Sequence, residues 1–369
     1  MKIAIEPKLL ADTIAWAART LPTRPNVPVL AGLLLEVGDD TLTVSAFDYD
    51  MSARATIPCD VAEPGRALVP GRMLAEVAKA LPTKSFVDIA ATDTDATLAC
   101  GRSDFSLRLL PVDDYPTLPD PPEPAGTIDA DQLAAAVAQV YPATSSDDTL
   151  PMLTGIRLDT KGDKLTVAAT DRYRIAVTDT TWTPATKKTA LGAVIPGRHL
   201  HDIVKGLSHG PITIGLNEAM AAFTSGDRQT TVRLLDEQFI DYRARVGITA
   251  DITATVDAAE LAAAVKRVAL VADRSTAIRL AFTADEVTAR AGTDDIGRGN
   301  ETVECALEGD PIDIAFQATY LLDALGAIDG HARIGMTGPV KPALFSSQTP
   351  EDGDGQTVPG GHKQLVMSL

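Results

Sequence analysis

The chain repeats itself. Ile5–Asp12 (IEPKLLAD) returns as Ile128–Ala135 (IDADQLAA), 123 residues on, and again as Val256–Ala263 (VDAAELAA), a further 128 residues on. Other landmarks keep nearly the same offset. Val27–Gly32 (VPVLAG) answers Leu150–Gly155 (LPMLTG), Phe47-Asp48-Tyr49 answers Thr170-Asp171-Arg172, and Val69–Arg72 (VPGR) answers Ile195–Arg198 (IPGR). Near the ends, Arg108–Pro111 (RLLP) matches Arg233–Asp236 (RLLD). A period this long is a domain and not a solenoid unit. The 369 residues therefore read as three tandem copies of one fold, over residues 1–120, 127–245 and 250–369.

Each copy opens on a helix. Leu10, Ile14, Ala17, Ala18 and Leu21 recur every three or four residues, nearer a period of 3.6 than 2. Alternating strands follow, such as Leu42–Ala46 and Leu165–Ala169. A second helix starts at each Pro-Gly-Arg, over Met73–Ala80 and Leu200–Gly206, and strands at Thr97–Cys100, Phe105–Leu110 and Thr230–Leu235 close the unit. The expected class is α+β, with two helices on antiparallel sheets in every copy. Pro-rich Pro111–Gly126 reads as the first linker, Asp236–Arg245 as the second, and Pro350–Gly361 as a solvated loop before a last strand. With only 4% aromatic residues among 45% hydrophobic ones, the cores are expected to use Leu, Val, Ile and Ala.

Composition narrows the function classes. No apolar run reaches the ~20 residues that span a bilayer. The first residues (MKIAIEPKLL) lack a signal-peptide pattern. Cys59, Cys100 and Cys305 are odd in number and far apart, which suits small core residues in a reducing cytoplasm. No metal or cofactor is expected: the five histidines are scattered, and His199 and His201 are two apart, wrong for one helical face. Enzyme motifs fail on context. Gly206-Leu207-Ser208-His209-Gly210 fits a nucleophile elbow, but a helix precedes it and a strand follows, the reverse of what an elbow needs. Gly297–Thr302 (GRGNET) lacks the third glycine of a dinucleotide fingerprint. The acid pairs Asp113-Asp114, Asp147-Asp148 and Asp294-Asp295 fall in expected loops and read as solvated surface. The chain reads as non-enzymatic.

With these landmarks on one line, the chain resembles the bacterial DNA polymerase III beta sliding clamp family, in an actinobacterial wording. The resemblance spans essentially the whole chain. It rests on the opening MKI, Arg24-Pro25, Val27–Gly32, Ala169–Arg174 (ATDRYR) and Thr319-Tyr320-Leu321. It implies a homodimer whose six domains close a ring around double-stranded DNA, with helices lining the hole. It also implies that the polymerase III alpha subunit and the clamp loader dock through short linear peptides.

A net charge of −17 argues against a nucleic-acid binder taken alone. The six expected inner helices (residues 7–20, 71–81, 130–142, 197–206, 258–275 and 317–326) reverse that sign. They carry nine basic residues (Lys8, Arg19, Arg72, Lys79, Arg198, Lys205, Lys266, Arg267, Arg274) against seven acids, a net +2 that leaves −19 for the rest. A mildly basic lining suits sliding, because each further phosphate contact adds affinity and salt dependence. The expected DNA-binding residues are Arg24, which matches a family DNA-contacting position, with Arg72, Lys79, Arg198, Lys205, Lys266 and Arg267.

By the same resemblance, a hydrophobic peptide-binding pocket involves Leu153, Thr170, Arg172, Tyr173, Arg174, Ile175, Gly247, Gln317, Tyr320, Pro342, Val366 and Met367. Here the chain departs from the family. It ends Met367-Ser368-Leu369 without the usual proline, and Gly247 and Gln317 stand where proline and asparagine are usual. Such changes loosen a rim and add to the entropy lost when a peptide binds. Two readings follow: a diverged second clamp with altered partner choice, or a clamp tolerant of cyclic-peptide inhibitors. The rival outside this family is a three-domain protein-interaction scaffold with no DNA role.

Overall fold

The structure is a computed structural model that describes residues 1–186, 192–207, 209–272, 276–293, 297–347 and 361–369. The expected loop at Pro350–Gly361 lies outside the described residues up to residue 360, as do Ser208, Asp273, Arg274, Asp294 and Asp295.

Among the described residues stand helices α1 (Pro7–Ala17), α2 (Gly71–Ala80), α3 (Ala130–Val140), α4 (Pro151–Thr154), α5 (Gly197–Lys205), α6 (Tyr242–Val246), α7 (Ala258–Val268) and α8 (Ala318–Gly326). Local chemistry explains their starts. Glu6 caps α1, its carboxylate accepting from the Lys8 and Leu9 amides at 3.1 and 2.6 Å. Asp257, at the same repeat position, caps α7 through the Glu260 amide at 2.9 Å. Leu10, Ile14 and Ala17 of α1 are fully buried, three turns of one face. The Pro-Gly-Arg landmark also has a packing cause. A Cβ at Gly71 would sit 2.5 Å from Leu21 Cδ1, and one at Gly197 would sit 2.7 Å from the Thr154 carbonyl, so both helices start pressed against a neighbour.

The strands repeat as the helices do. In copy one, Gly32–Gly38, Thr41–Phe47 and Met51–Pro58 form one antiparallel meander, and Val87–Ala91, Asp95–Cys100 and Ser103–Arg108 a second. Copy two repeats both, as Gly155–Lys161, Lys164–Thr170 and Arg174–Thr181, then Pro211–Leu216, Met220–Ser225 and Arg228–Arg233. Copy three does so as Ile278–Phe282, Glu286–Thr293 and Gly297–Glu308, then His331–Met336, Ala343–Ser347 and His362–Val366.

One joint is used twice. The last strand of copy two pairs antiparallel with the third strand of copy one, Val232 opposite Met51 and Arg228 opposite Ala55. Ser52 and Thr231 hydroxyls meet across it at 2.6 Å. The last strand of copy three pairs in the same way with the third strand of copy two, Val366 opposite Arg174 and His362 opposite Thr178. Because strand pairing crosses the copies, the chain divides into two compact units that share the middle copy: residues 1–130 with 205–234, and residues 131–204 with 235–369.

The first unit packs its main core around Leu10, Ile14, Leu33, Leu35, Leu42 and Ile57, all aliphatic as expected. The second departs from that expectation. Phe282, Phe316 and Phe345 are fully buried in copy three, and Phe316 meets Phe345 edge to face at 5.7 Å.

Candidate functional site

Copy two carries the chemistry at the turn between its strands Lys164–Thr170 and Arg174–Thr181. The Asp171 carboxylate accepts from the Tyr173 and Arg174 amides at 3.0 and 3.1 Å, and the Thr170 hydroxyl donates to the Arg174 carbonyl at 2.7 Å. Closed this tightly, the turn holds Arg172 at φ 81°, a left-handed conformation that favours glycine. Copy one repeats the device. Asp48 accepts from the Asp50 and Met51 amides at 3.0 and 2.7 Å, with Tyr49 at φ 76°.

Beside the copy-two turn lies a cleft of about 570 Å³, lined by Thr149, Leu150, Pro151, Met152, Leu153, Thr170, Arg172, Ile175, Glu237, Gln238, Ile240 and Arg245. Its floor joins an apolar cluster of Ala168, Ile175, Val177, Tyr242, Val246 and Leu365, with Phe239, Ile240 and Leu344 at its edge. The segment expected as the second linker is thus a wall of the cleft. It is pinned by Tyr242, whose buried hydroxyl donates to Asp159 at 2.7 Å, and burial raises its pKa. Arg243 pairs with the same carboxylate oxygen at 3.1 Å and Arg157 with the other at 2.8 Å.

Of the expected pocket residues, Leu153, Thr170, Arg172 and Ile175 line the cleft. Tyr173 and Tyr320 form a neighbouring aromatic shelf, their rings stacked at 5.8 Å and 19°. Burial, then Asp171, raises the Tyr320 pKa. The Met367 amide donates to the Tyr173 carbonyl at 2.9 Å, which sets the C-terminal segment along this shelf with Met367 exposed. Val366 is fully buried in the core of copy three.

Arg174, expected in the pocket, is buried, 6% exposed. Its guanidinium pairs with Asp171 at 3.0 Å and Asp323 at 2.5 Å, donates to the Pro142 carbonyl, and lies 4.5 Å over the Tyr320 ring. It fastens the turn to α8 and stays off the cleft lining. Gly247 is the exposed C-cap of α6, Gln317 stands at the N-cap of α8 without a side-chain cap bond, and Pro342 precedes the strand Ala343–Ser347. These three lie off the lining as well.

Sequence reasoning did not assign Thr149, Leu150, Pro151, Met152, Glu237, Gln238, Ile240 and Arg245 to the site. A signal existed: Leu150–Gly155 is a repeat landmark, and Phe239-Ile240 is an apolar pair inside an expected linker.

Copy one shows why such a cleft need not open. There the Leu110 amide bonds the Leu68 carbonyl, as Leu235 bonds Val194 in copy two, so the segments that follow correspond. Val112 then takes the place of Glu237, and Tyr115 that of Ile240. Both pack against Val29, Leu34 and Leu68. The Tyr115 hydroxyl is buried beside the Phe47–Asp48 turn, and burial raises its pKa. The first linker fills its own groove.

The expected DNA-binding cations are all exposed on or near the helices: Arg24 in the loop before Val27, Arg72 and Lys79 on α2, Arg198 and Lys205 on α5, Lys266 and Arg267 on α7. Arg72 also donates to the Pro22 carbonyl at 3.4 Å. Arg267 differs from the others. Glu301 accepts from its Nε at 2.8 Å and also pairs with Nη2; the shared bonds raise the Arg267 pKa and lower that of Glu301. Among the described residues, the other six cations have no carboxylate within 4.0 Å, so Arg267 is the weakest candidate for phosphate.

Comparison with known proteins follows the three copies. Residues 1–119 match the N-terminal domain of the DNA polymerase III beta subunit, residues 127–241 its central domain, and residues 249–359 its C-terminal domain. The chain is 42% identical to the beta sliding clamp of Streptomyces coelicolor, over all of this chain and 99% of that relative. It is 36% identical to the beta sliding clamp homolog GriR of Streptomyces muensis, over the same shares. It also superposes on a griselimycin-bound sliding clamp from Pseudomonas aeruginosa with a TM-score of 0.92 and 25% identity, over 100% of this chain and 99% of that one. Three tandem α+β copies of one unit define a clamp-type protein of DNA replication. The chain belongs to the DNA polymerase III beta subunit family, and its function is that of a sliding clamp.

Proposed function

We propose that two of these chains close head to tail into a six-domain ring on double-stranded DNA, with domains at 1–120, 127–245 and 250–369. The observation that carries this is the joint used twice within the chain. By the repeat, the third strand of copy three should receive the last strand of a copy one. Gly297–Glu304 is paired with Glu286–Thr293 on one side, and Ser103–Arg108 with Asp95–Cys100 on one side. Ser103–Arg108 is the last strand of its sheet, and on its other side Gly297–Glu308 pairs with Ile252–Asp257 through Cys305–Glu308. Apolar residues stand exposed at both places, Phe105 on the copy-one edge and Leu270 on the turn packed against the copy-three strands. Strand edges of this kind pair when a partner is available. A heterologous contact made twice then closes a ring instead of running on as a filament.

In this reading the exposed cations on α2, α5 and α7, with Arg24, face the DNA, and the chain tethers the polymerase without catalysing a step itself. It works in the cytoplasm; among the described residues no helix is long and apolar enough to cross a membrane. The copy-two cleft takes short linear peptides from the polymerase III alpha subunit and the clamp loader, and cyclic peptides as well. Gly247, Gln317 and the Met367–Leu369 end motivate two versions of this reading, inhibitor tolerance and altered partner choice, which affinity separates. Tolerance requires a cyclic peptide to lose affinity while a polymerase-derived peptide keeps it.

The decisive experiment is solution mass by light scattering, followed by retention on DNA circles. Twice the 38.8 kDa chain mass is expected, with retention lost when the circle is cut. A stable monomer, or equal retention on linear DNA, overturns the ring.

A further inference from the structure

We propose that copy one carries a second peptide-docking groove whose resident occupant is the first linker. Val112–Tyr115 is a strap that must lift before a peptide with aliphatic anchors can enter. The site rests on the docking reading of copy two and adds a groove which that reading leaves closed.

The two grooves share a frame. Each turn is closed by an aspartate, with Tyr49 at φ 76° where copy two has Arg172 at φ 81°. The Arg233 amide donates to the Asp50 carbonyl at 2.8 Å, as the Met367 amide does to the Tyr173 carbonyl at 2.9 Å. Strand alternation supplies an apolar floor in copy one. Leu33 and Leu35 enter the main core, so Leu34 lies on the opposite sheet face, clustered with Val29 and Leu68. At the turn the Phe47 and Tyr49 rings meet at 5.4 Å, and Tyr49 stays 53% exposed.

The strap over this floor is weakly fastened. Val112 and Tyr115 pack on it and are themselves only half-buried. Its own main-chain bond runs from the Tyr115 amide to the Val112 carbonyl, inside the strap and not to the sheet. Pro111 and Pro116, on either side, have no N–H to give a strand. The Arg66–Asp113 pair at 2.8 Å joins two exposed side chains and adds little. A segment held by two half-buried side chains opens far more readily than a core strand. Until it opens, the groove's apparent affinity is reduced by the fraction of chains that have it open.

The test is calorimetric titration with a short peptide carrying two leucine anchors, then crosslinking with a photoreactive leucine in the same peptide. The unaltered chain should take one peptide, labelled in copy two. The double variant Val112→Ser, Tyr115→Ser should take two, the second within about tenfold of the first and labelled near Val29, Leu34 and Leu68. Both altered side chains are half-buried, so the variant should fold, and circular dichroism checks that it does. If it does not, Tyr115→Ser alone gives the same reading with a weaker second site. A folded variant that still takes one peptide in copy two, or a second peptide labelled outside copy one, overturns the proposal and leaves the copy-two reading standing. One peptide in copy one of the variant, with none on the unaltered chain, overturns the copy-two reading and leaves the proposal standing. No peptide on either chain overturns both.

Discussion

Arg174 and His362 show what burial does to a single polar side chain. Arg174 sits in the run Asp171–Arg174 and is almost fully buried, with its donors on two carboxylates and a carbonyl and its guanidinium over a ring. Strand alternation gives no help here, because both faces of Arg174–Thr178 are covered. Arg174→Ala should cost about 3 kcal/mol in denaturant unfolding, since it leaves Asp171 and Asp323 without their cation. His362 belongs to the same buried strand pair. Its Nδ1 lies 2.9 Å from the Thr178 hydroxyl, which in turn lies 3.1 Å from the Gln139 side-chain carbonyl. Burial lowers its pKa from 6.5 to about 4. The neutral ring is therefore the folded form, and its contribution is complete above pH 6.5. Between pH 6.5 and 4 the unfolded chain takes a proton that the folded one refuses, so stability falls by up to about 3 kcal/mol. His362→Gln should flatten that part of the stability-against-pH curve; an unchanged slope would show that other groups set it.

The six longer helices and most strands were legible, because the apolar period and the Pro-Gly-Arg landmark are local signals. The short α6 was not: five residues inside a polar stretch carry no period, and the helix rests on the Asp241 cap, buried Tyr242 and Val246, and the Tyr242–Asp159 bond. The cleft was legible only in part, for the same reason. Its turn residues follow a motif, while the Glu237–Arg245 wall depends on where the chain is led after Leu235. At α8 the helix starts on Gln317 with no side-chain cap bond, whereas α1 and α7 start on capping carboxylates. Gln317→Asn should raise stability by about 1 kcal/mol, read as a shift in the urea midpoint at unchanged slope. Copy one offers the complementary case, its groove filled by Val112 and Tyr115. A peptide titration should therefore saturate at one peptide per chain, and calorimetry giving two would mean that the first linker yields its groove.

For the whole molecule, the threefold repeat was the strongest signal, and the copies are what the family matches trace. The joint between them was not legible. It brings together strands some 180 residues apart, as Ser52 with Thr231 and Thr178 with His362, and no local pattern marks which edge meets which. Joints within a chain and the proposed joint between chains use corresponding strands, so their local bonding is alike. What separates them is tethering. A parted joint inside a chain stays at a high effective concentration, about millimolar for short linkers, and re-forms at once. One between chains must be found again by diffusion. Any force or dilution applied to such an assembly is thus felt only where the polypeptide is discontinuous. The proposed ring should therefore open at its two joints between chains and at none within a chain.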